Sequence, residues 1–355
     1  MIKRIVAVFL ILSSLLLCVS CKSKAYKPVP STDEEAKTVF TLGEYEVPYE
    51  LFRTFFLTNK DSIDGGDNSV WLSSSAPEYR QKAIDIILPQ ICEIYAMFSL
   101  CASYGIDAYS DELEKEISEM VTLSVDGGSI AGNIVAGHDS YEDYLEYLKS
   151  LYMNDSVSRL LMRYSICEEK IIEKNASKSN HTSEDVYKFF ESDECAHISY
   201  LHRPYYYSEH FTPDADYALA EKALSLMNKA EGYDDIIKIL VQYSLGTDAS
   251  DIANGFYIGK YSLDSEYMKE IIDAAFTMEV GEHSEIIENY YGVYIVYAME
   301  KDAKYLDDDS NYERISELYV NNEFYKNLTE CKNRLSELVE YTDFFNSLNF
   351  AEIEY

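Results

Sequence analysis

Apolar positions change their rhythm several times along the chain, and each change predicts a different element. Lys3 and Arg4 precede a mostly apolar run over residues 5–17, and Val19 and Ser20 lead to Cys21, the pattern of a secretory signal over residues 1–20. A bilayer span needs about 20 apolar residues, and this run, diluted by Ser13 and Ser14, falls short of that. Residues 21–37 are polar, carry prolines and show no period, which predicts a flexible tether. Residues 39–47 read as a short extended pair turning at Gly43, and Pro48 introduces a helix over 49–56. The Asp-, Gly- and Ser-rich stretch 61–76 predicts a loop.

From Pro77 onward the steps become three and four. Ile84, Ile87, Leu88, Ile91, Ile94, Tyr95 and Phe98 fall on one helical face, with Pro89 expected to kink it. Gly105 suits a C-terminal cap, and Ser110 followed by Asp111, Glu112 and Glu114 suits a start that favours the helix dipole. Ser140 with Asp143 opens another helix, continued by Tyr144, Leu145, Leu148, Leu151 and Tyr152. Residues 38–174 therefore read as one mostly helical region, and 77–174 lacks the strand–helix alternation of a doubly wound sheet.

A polar stretch without period makes residues 175–185 a linker, and Thr182 with Asp185 caps a helix carrying Val186, Tyr187, Phe189 and Phe190. Between 186 and 302 the pattern alternates: 196–201 and 292–299 are strand-like, 218–227 and 234–243 helix-like, with turns at Gly255, Gly259, Gly281 and Gly292. A last segment, 303–355, returns to the helical period through Ile315, Leu318, Phe324, Leu328 and Leu335, expected to pack back on the first helical region. The fold class is α+β: a mostly helical region interrupted by a small-sheet domain.

Composition narrows the partners. With 63 acidic against 30 basic residues and a net charge of −33, the chain would repel nucleic acid and anionic lipid headgroups, so basic or aromatic unfolded segments suit it better. Setting aside Cys18 and Cys21, the five remaining cysteines are odd in number and lack a CxxC pair, which argues against a disulfide framework or a zinc site. They read as small buried hydrophobes. The 33 tyrosines suit half-buried surfaces that meet water or bind peptides, and drift in amino-acid usage is the alternative reading.

Several segments carry a family resemblance. LCVSC at 17–21 resembles the bacterial lipobox, which implies a lipid on Cys21 and attachment to the cell membrane through that anchor alone, although Cys18 stands where an aliphatic residue is usual. CAHISYLH at 195–202, ILVQYS at 239–244, GFYIG at 255–259, IDAAFTM and VGEHS at 272–284, and YGVYIV at 291–296 are similar, in that order, to the landmarks of parvulin-type peptidyl-prolyl isomerases. With the flanking helices, the order looks like the PrsA and SurA type of envelope foldase. The resemblance implies an extracytoplasmic foldase, without cofactor or metal, acting on unfolded or partly folded exported proteins and proline-containing segments.

It also implies a site. Tyr267, Ile271 and Phe276 would form an apolar cup for a proline ring, with His197 on its floor in a hydrogen-bond network that includes Tyr294 and His202. Rotation about a prolyl bond needs no proton to leave the substrate, only an apolar seat and stabilisation of the twisted amide. Two positions depart from the family: Leu245-Gly246 replaces the usual cysteine or aspartate, leaving Asp248 as the nearest carboxylate, and Tyr294 stands in place of a second histidine. His210 and His283 read as loop residues, and the stretch 203–211 lacks the basic cluster of phosphate-directed parvulins. A holding chaperone without isomerase activity and a solute-binding lipoprotein are the competing readings.

Overall fold

The computed structural model describes residues 26–130, 133–176, 181–205, 213–261, 266–289 and 291–355. The signal segment, Cys21 and His210 lie outside them, as does the side chain of Tyr267. The fold is α+β, with a helical unit and a unit built on a small antiparallel sheet. One unit extends through Glu173 and resumes over Asn327–Tyr355; the other is Lys174–Lys326.

In the first unit, β1 (Thr38–Leu42) pairs antiparallel with β2 (Tyr45–Pro48), and the tight turn between them needs Gly43 at φ 63°. The helix that follows, α1 (Tyr49–Asp64), is twice the length expected. Its second half looked like a loop because Thr58, Asn59 and Asp64 are polar, yet all three are buried. Asp64 is held by Lys60 Nζ and by Trp71 Nε1, each at 2.7 Å, and these contacts keep its carboxyl below the usual range despite burial. Phe52, Phe56, Trp71, Phe345 and Phe350 then form an aromatic core with ring centres 5.3–6.1 Å apart. The chain's C-terminal stretch enters this core because β9 (Val339–Tyr341) pairs with β1, Phe40 facing Tyr341.

The helix α2 (Ala76–Ser103) continues through Pro89, and half or more of its most apolar window is buried, as expected for a core helix. Ser110 caps α3 (Asp111–Asp126), accepting from the Leu113 amide. A short hairpin, β3 (Gly128–Ile130) and β4 (Asn133–Val135), interrupts the region expected to be purely helical. Three-residue strands bounded by glycine are too short to impose a period of two. Two more helices follow, α4 (Tyr141–Ser150) and α5 (Asp155–Ala176). The described end of the expected tether is not loose: Val29 N donates to Asp155 Oδ2 at 2.9 Å and Arg159 Nη2 donates to the Tyr26 carbonyl at 3.0 Å. Asp155, in the first turn of α5, and Arg159, one turn later, pair at 2.8 Å.

In the second unit, Thr182 and Asp185 form a reciprocal capping box on α6 (Ser183–Glu191). The sheet has the order β6-β5-β8-β7, all antiparallel: β5 is Cys195–Pro204, β6 Phe256–Gly259, β7 Ile287–Asn289 and β8 Gly292–Met299. Three helices, α7 (Pro213–Met227), α8 (Tyr233–Tyr243) and α9 (Ala249–Asn254), bury one face around Leu201, Leu240, Val293, Ile295, Tyr297 and Met299. The other face carries α10 (Glu266–Ala275), which packs Ile271 and Ala275 onto Ile198, Tyr294 and Val296. The unit ends within α11 (Asp309–Ser336).

Candidate functional site

Strand alternation decides where the expected site residues go. Successive side chains of a strand point to opposite faces, so His197 and His202, five residues apart, must point apart. Cross-strand partners share a face. His197 pairs with Tyr257 and Met299, on the face covered by α7, α8 and α9, whereas His202 pairs with Tyr294 on the face that carries α10. The structure brings His202, Tyr294, Ile271 and Phe276 to one face and places His197 on the other.

His197 is 8 % exposed and wedged between main-chain groups. Its Nδ1 lies 2.7 Å from the Glu300 carbonyl oxygen and its Nε2 2.8 Å from that of Asn254, while the ring stacks on Tyr257 at 4.2 Å and 5°. Burial pushes the Tyr257 hydroxyl up to about 12. Gly255, at φ 71°, makes room for the imidazole: a Cβ there would meet Nε2 at 2.6 Å. One residue further along this face, Ser199 Oγ donates to the Ile252 carbonyl at 2.7 Å. Arg203 then donates to Asp216 Oδ1 and, at 2.7 Å, to the Tyr243 carbonyl, tying α7 and α8 to β5. These are the interactions of a packed interior, with both ring nitrogens of His197 committed to the backbone.

The opposite face carries a smaller buried cluster among the described residues. His202 and Tyr294 stack at 4.3 Å and 7°. His202 Nε2 is buried with no hydrogen-bond partner among the described residues. Burial pulls the His202 imidazole below its ordinary value, with a backbone hydrogen bond at Tyr291 opposing the shift. Tyr200 stacks on Phe256 at 5.2 Å and meets Tyr294 at 6.3 Å. Ile271 is fully buried beneath α10, while Tyr200, Ile258, Phe276, Met278 and Ile287 are half-buried against the same cluster. Tyr267 belongs to α10 by its backbone. On the other face Tyr205, packed against the cluster of Leu201 and Val293, donates a short hydrogen bond to Glu288 of β7, and burial together with that bond raises the phenol's pKa.

The departures in the sequence have structural counterparts. Gly246 adopts φ 80°, and Asp248 is an exposed residue before α9, so its carboxylate is not drawn into the sheet. His283 bridges to Tyr297 and lies beside a shallow hollow of about 440 Å³; a second hollow, of about 500 Å³, runs past Tyr217, Leu224 and Ile286. Neither is lined by His202 or Tyr294. Among the described residues no cluster of three or more histidine, cysteine or carboxylate side chains is arranged to hold a metal ion. Sequence reasoning missed Tyr200, Phe256 and Ile258; the even-numbered alternation of 196–202 was the signal that could have placed Tyr200 beside His202.

The chain is similar to the foldase PrsA. The crystal structure of PrsA from Bacillus subtilis matches with 16 % identity over 74 % of this chain and 86 % of that one, at a TM-score of 0.27. The foldase protein PrsA from Streptococcus pneumoniae matches with 16 % identity over 72 % and 84 %, at 0.31. PrsA from Lactococcus lactis matches with 13 % identity over 90 % and 100 %, at 0.25. No protein-family model matches the chain, and neither does any curated protein sequence.

Proposed function

We propose that this chain is an extracytoplasmic foldase whose Lys174–Lys326 unit holds extended, proline- or aromatic-bearing segments of exported proteins against the α10 face of its sheet. The observation that carries the reading is the half-buried band of Tyr200, Ile258, Phe276 and Met278 beside the His202–Tyr294 stack. Such a surface desolvates a proline ring or an aromatic side chain, and the His202 imidazole, whose buried Nε2 has no partner among the described residues, lies beside it. The net charge of −33 adds attraction for basic clients and keeps clients of like charge away. Cys21, carrying a lipid, would tether the chain to the cell membrane.

Prolyl isomerisation on this face falls to His202 and Tyr294 over a seat made by Ile271, Phe276 and Tyr267, with His197 supporting the sheet from behind. A proline-peptide isomerisation assay on the full chain, beside an aggregation assay with an unfolded client, tests both parts. Isomerisation above the solvent rate, lost in Phe276→Ala and His202→Ala, is the expected result. Client binding without isomerisation leaves a holding chaperone, a reading favoured by His197 lying on the far face. Neither binding nor isomerisation ends the proposal.

A further inference from the structure

Residues 26–30, Tyr-Lys-Pro-Val-Pro, are gripped by side chains from three helices of the first unit. The Tyr26 hydroxyl donates at 2.6 Å to Asp126 Oδ1, at the end of α3, and its ring leans on Tyr141 at 4.8 Å. The hydroxyl of Tyr141, the first residue of α4, is shared between the Lys27 carbonyl at 3.2 Å and Asp155 Oδ1 at 3.0 Å. From α5, Asp155 Oδ2 accepts the Val29 amide and Arg159 Nη2 donates to the Tyr26 carbonyl. Asp155 and Arg159 are 2 % and 6 % exposed and pair with each other, so the seat is held in shape by the unit itself. Of these four contacts to the segment, three go to its main chain.

The segment's sequence matches such a seat. Lys27 and Val29 each precede a proline, which steers their backbone to extended conformations and lowers the entropy lost on docking. Pro28 and Pro30 have no amide hydrogen, so Val29 carries the one N–H between Lys27 and Ser31, and Asp155 accepts it. Attachment continues toward β1: the Glu50 amide donates to the Glu35 carbonyl at 3.0 Å, and Arg53 pairs with the Glu35 carboxylate at 2.6 Å.

We infer that Tyr141, Asp155 and Arg159 form a latch for proline-bearing main chain, closed by the chain's own residues 26–30, and that this latch sets how far the first unit stands from a lipid on Cys21. The membrane distance rests on the proposed lipid at Cys21; the latch itself does not. From Cys21 to Tyr26 there are five peptide steps, a reach of at most about 17 Å. A free stretch up to Lys37 would allow roughly 55 Å. The side of the unit that carries Tyr141 is thereby kept toward the bilayer, against the repulsion that a net charge of −33 feels from anionic headgroups.

The test uses the full chain and has two arms. Hydrogen exchange is read on a fragment containing Val29 and compared with a synthetic peptide of residues 26–31. The Val29 amide is expected to exchange roughly 100-fold more slowly in the protein, and Tyr141→Phe should recover several-fold of that rate. Exchange at the free-peptide rate in the unsubstituted chain overturns the latch, whatever the variant does. For the second arm, the lipidated chain carries a donor dye at Glu142→Cys, an exposed position next to Tyr141, the cysteines at 92, 101, 167, 195 and 331 being buried. It is bound to vesicles with acceptor-labelled headgroups. Val29→Pro removes the donated amide at an exposed site, and energy transfer should fall about twofold as the reach lengthens. Equal transfer in the two chains overturns the membrane distance. A chain that never attaches to vesicles overturns the lipid at Cys21 and the distance with it, while slow Val29 exchange in that same chain still upholds the latch.

Discussion

The two faces of the four-stranded sheet use the same strands to opposite ends. Toward α7, α8 and α9, every polar side chain in the strand row His197, Ser199, Arg203 is spent on a backbone carbonyl or a buried carboxylate. Toward α10, His202 keeps a buried ring nitrogen without a partner among the described residues, and Tyr200, Ile258, Phe276 and Met278 stay half-buried around a fully buried Tyr294. The contrast teaches that an imidazole's job follows from its face. One that fills both nitrogens with main chain holds a fold together; one that leaves a nitrogen unmatched beside half-buried apolar side chains is the one the proposed function would use.

Breaking the closed face should cost the most. Arg203→Ala strands the buried Asp216 carboxylate, and a loss of about 3–5 kcal/mol in denaturant unfolding is expected; a loss under 1 kcal/mol would show that Asp216 finds water or protonates without penalty. His197→Ala removes the ring between Glu300, Asn254 and Tyr257 and should cost about 2–3 kcal/mol. Its folded fraction should bind clients as before. Selective loss of client binding or isomerisation, at unchanged stability, would move His197 back into the site.

The open face should respond in function more than in stability. Phe276→Ala removes a half-buried ring and should cost about 1 kcal/mol in unfolding while weakening client affinity several-fold, read by fluorescence titration. Equal affinity in the variant would place the client elsewhere. The smallest effect is a pH dependence. His202 has a folded-state pKa below its unfolded value, so its unfolded form binds the extra proton first. The stability it contributes is therefore complete above the ordinary imidazole range and is lost as pH falls through and below it. His202→Asn should flatten that part of the profile of thermal midpoint against pH, and an unchanged slope would assign the dependence to other groups.

Legibility in the sequence varied with the range of the interaction. Ser110 and Thr182 announced their helices because a cap hydrogen-bonds within three residues of itself. The strands at 195–204 and 292–299 were visible through β-branched and aromatic runs between turns. The second half of α1 was hidden because Asp64 and Asn59 are buried only by virtue of Lys60, Trp71 and a backbone carbonyl. Gathering His197, His202 and Tyr294 into one network followed family order and passed over the strand's own parity, which was present in the residues.

Residue order accounts for what depends on near neighbours: helical period, caps, the positive-φ glycine turns, the alternation that makes His202 and His197 point apart, and the acidic balance that sets which partners are attracted. It does not encode in any local signal that Val339–Tyr341 returns to β1. Nor does it say which face of β5 three helices would cover and which a single helix would. Those outcomes come from long-range burial, where many apolar contacts far apart in sequence must be satisfied together and no single segment holds the answer.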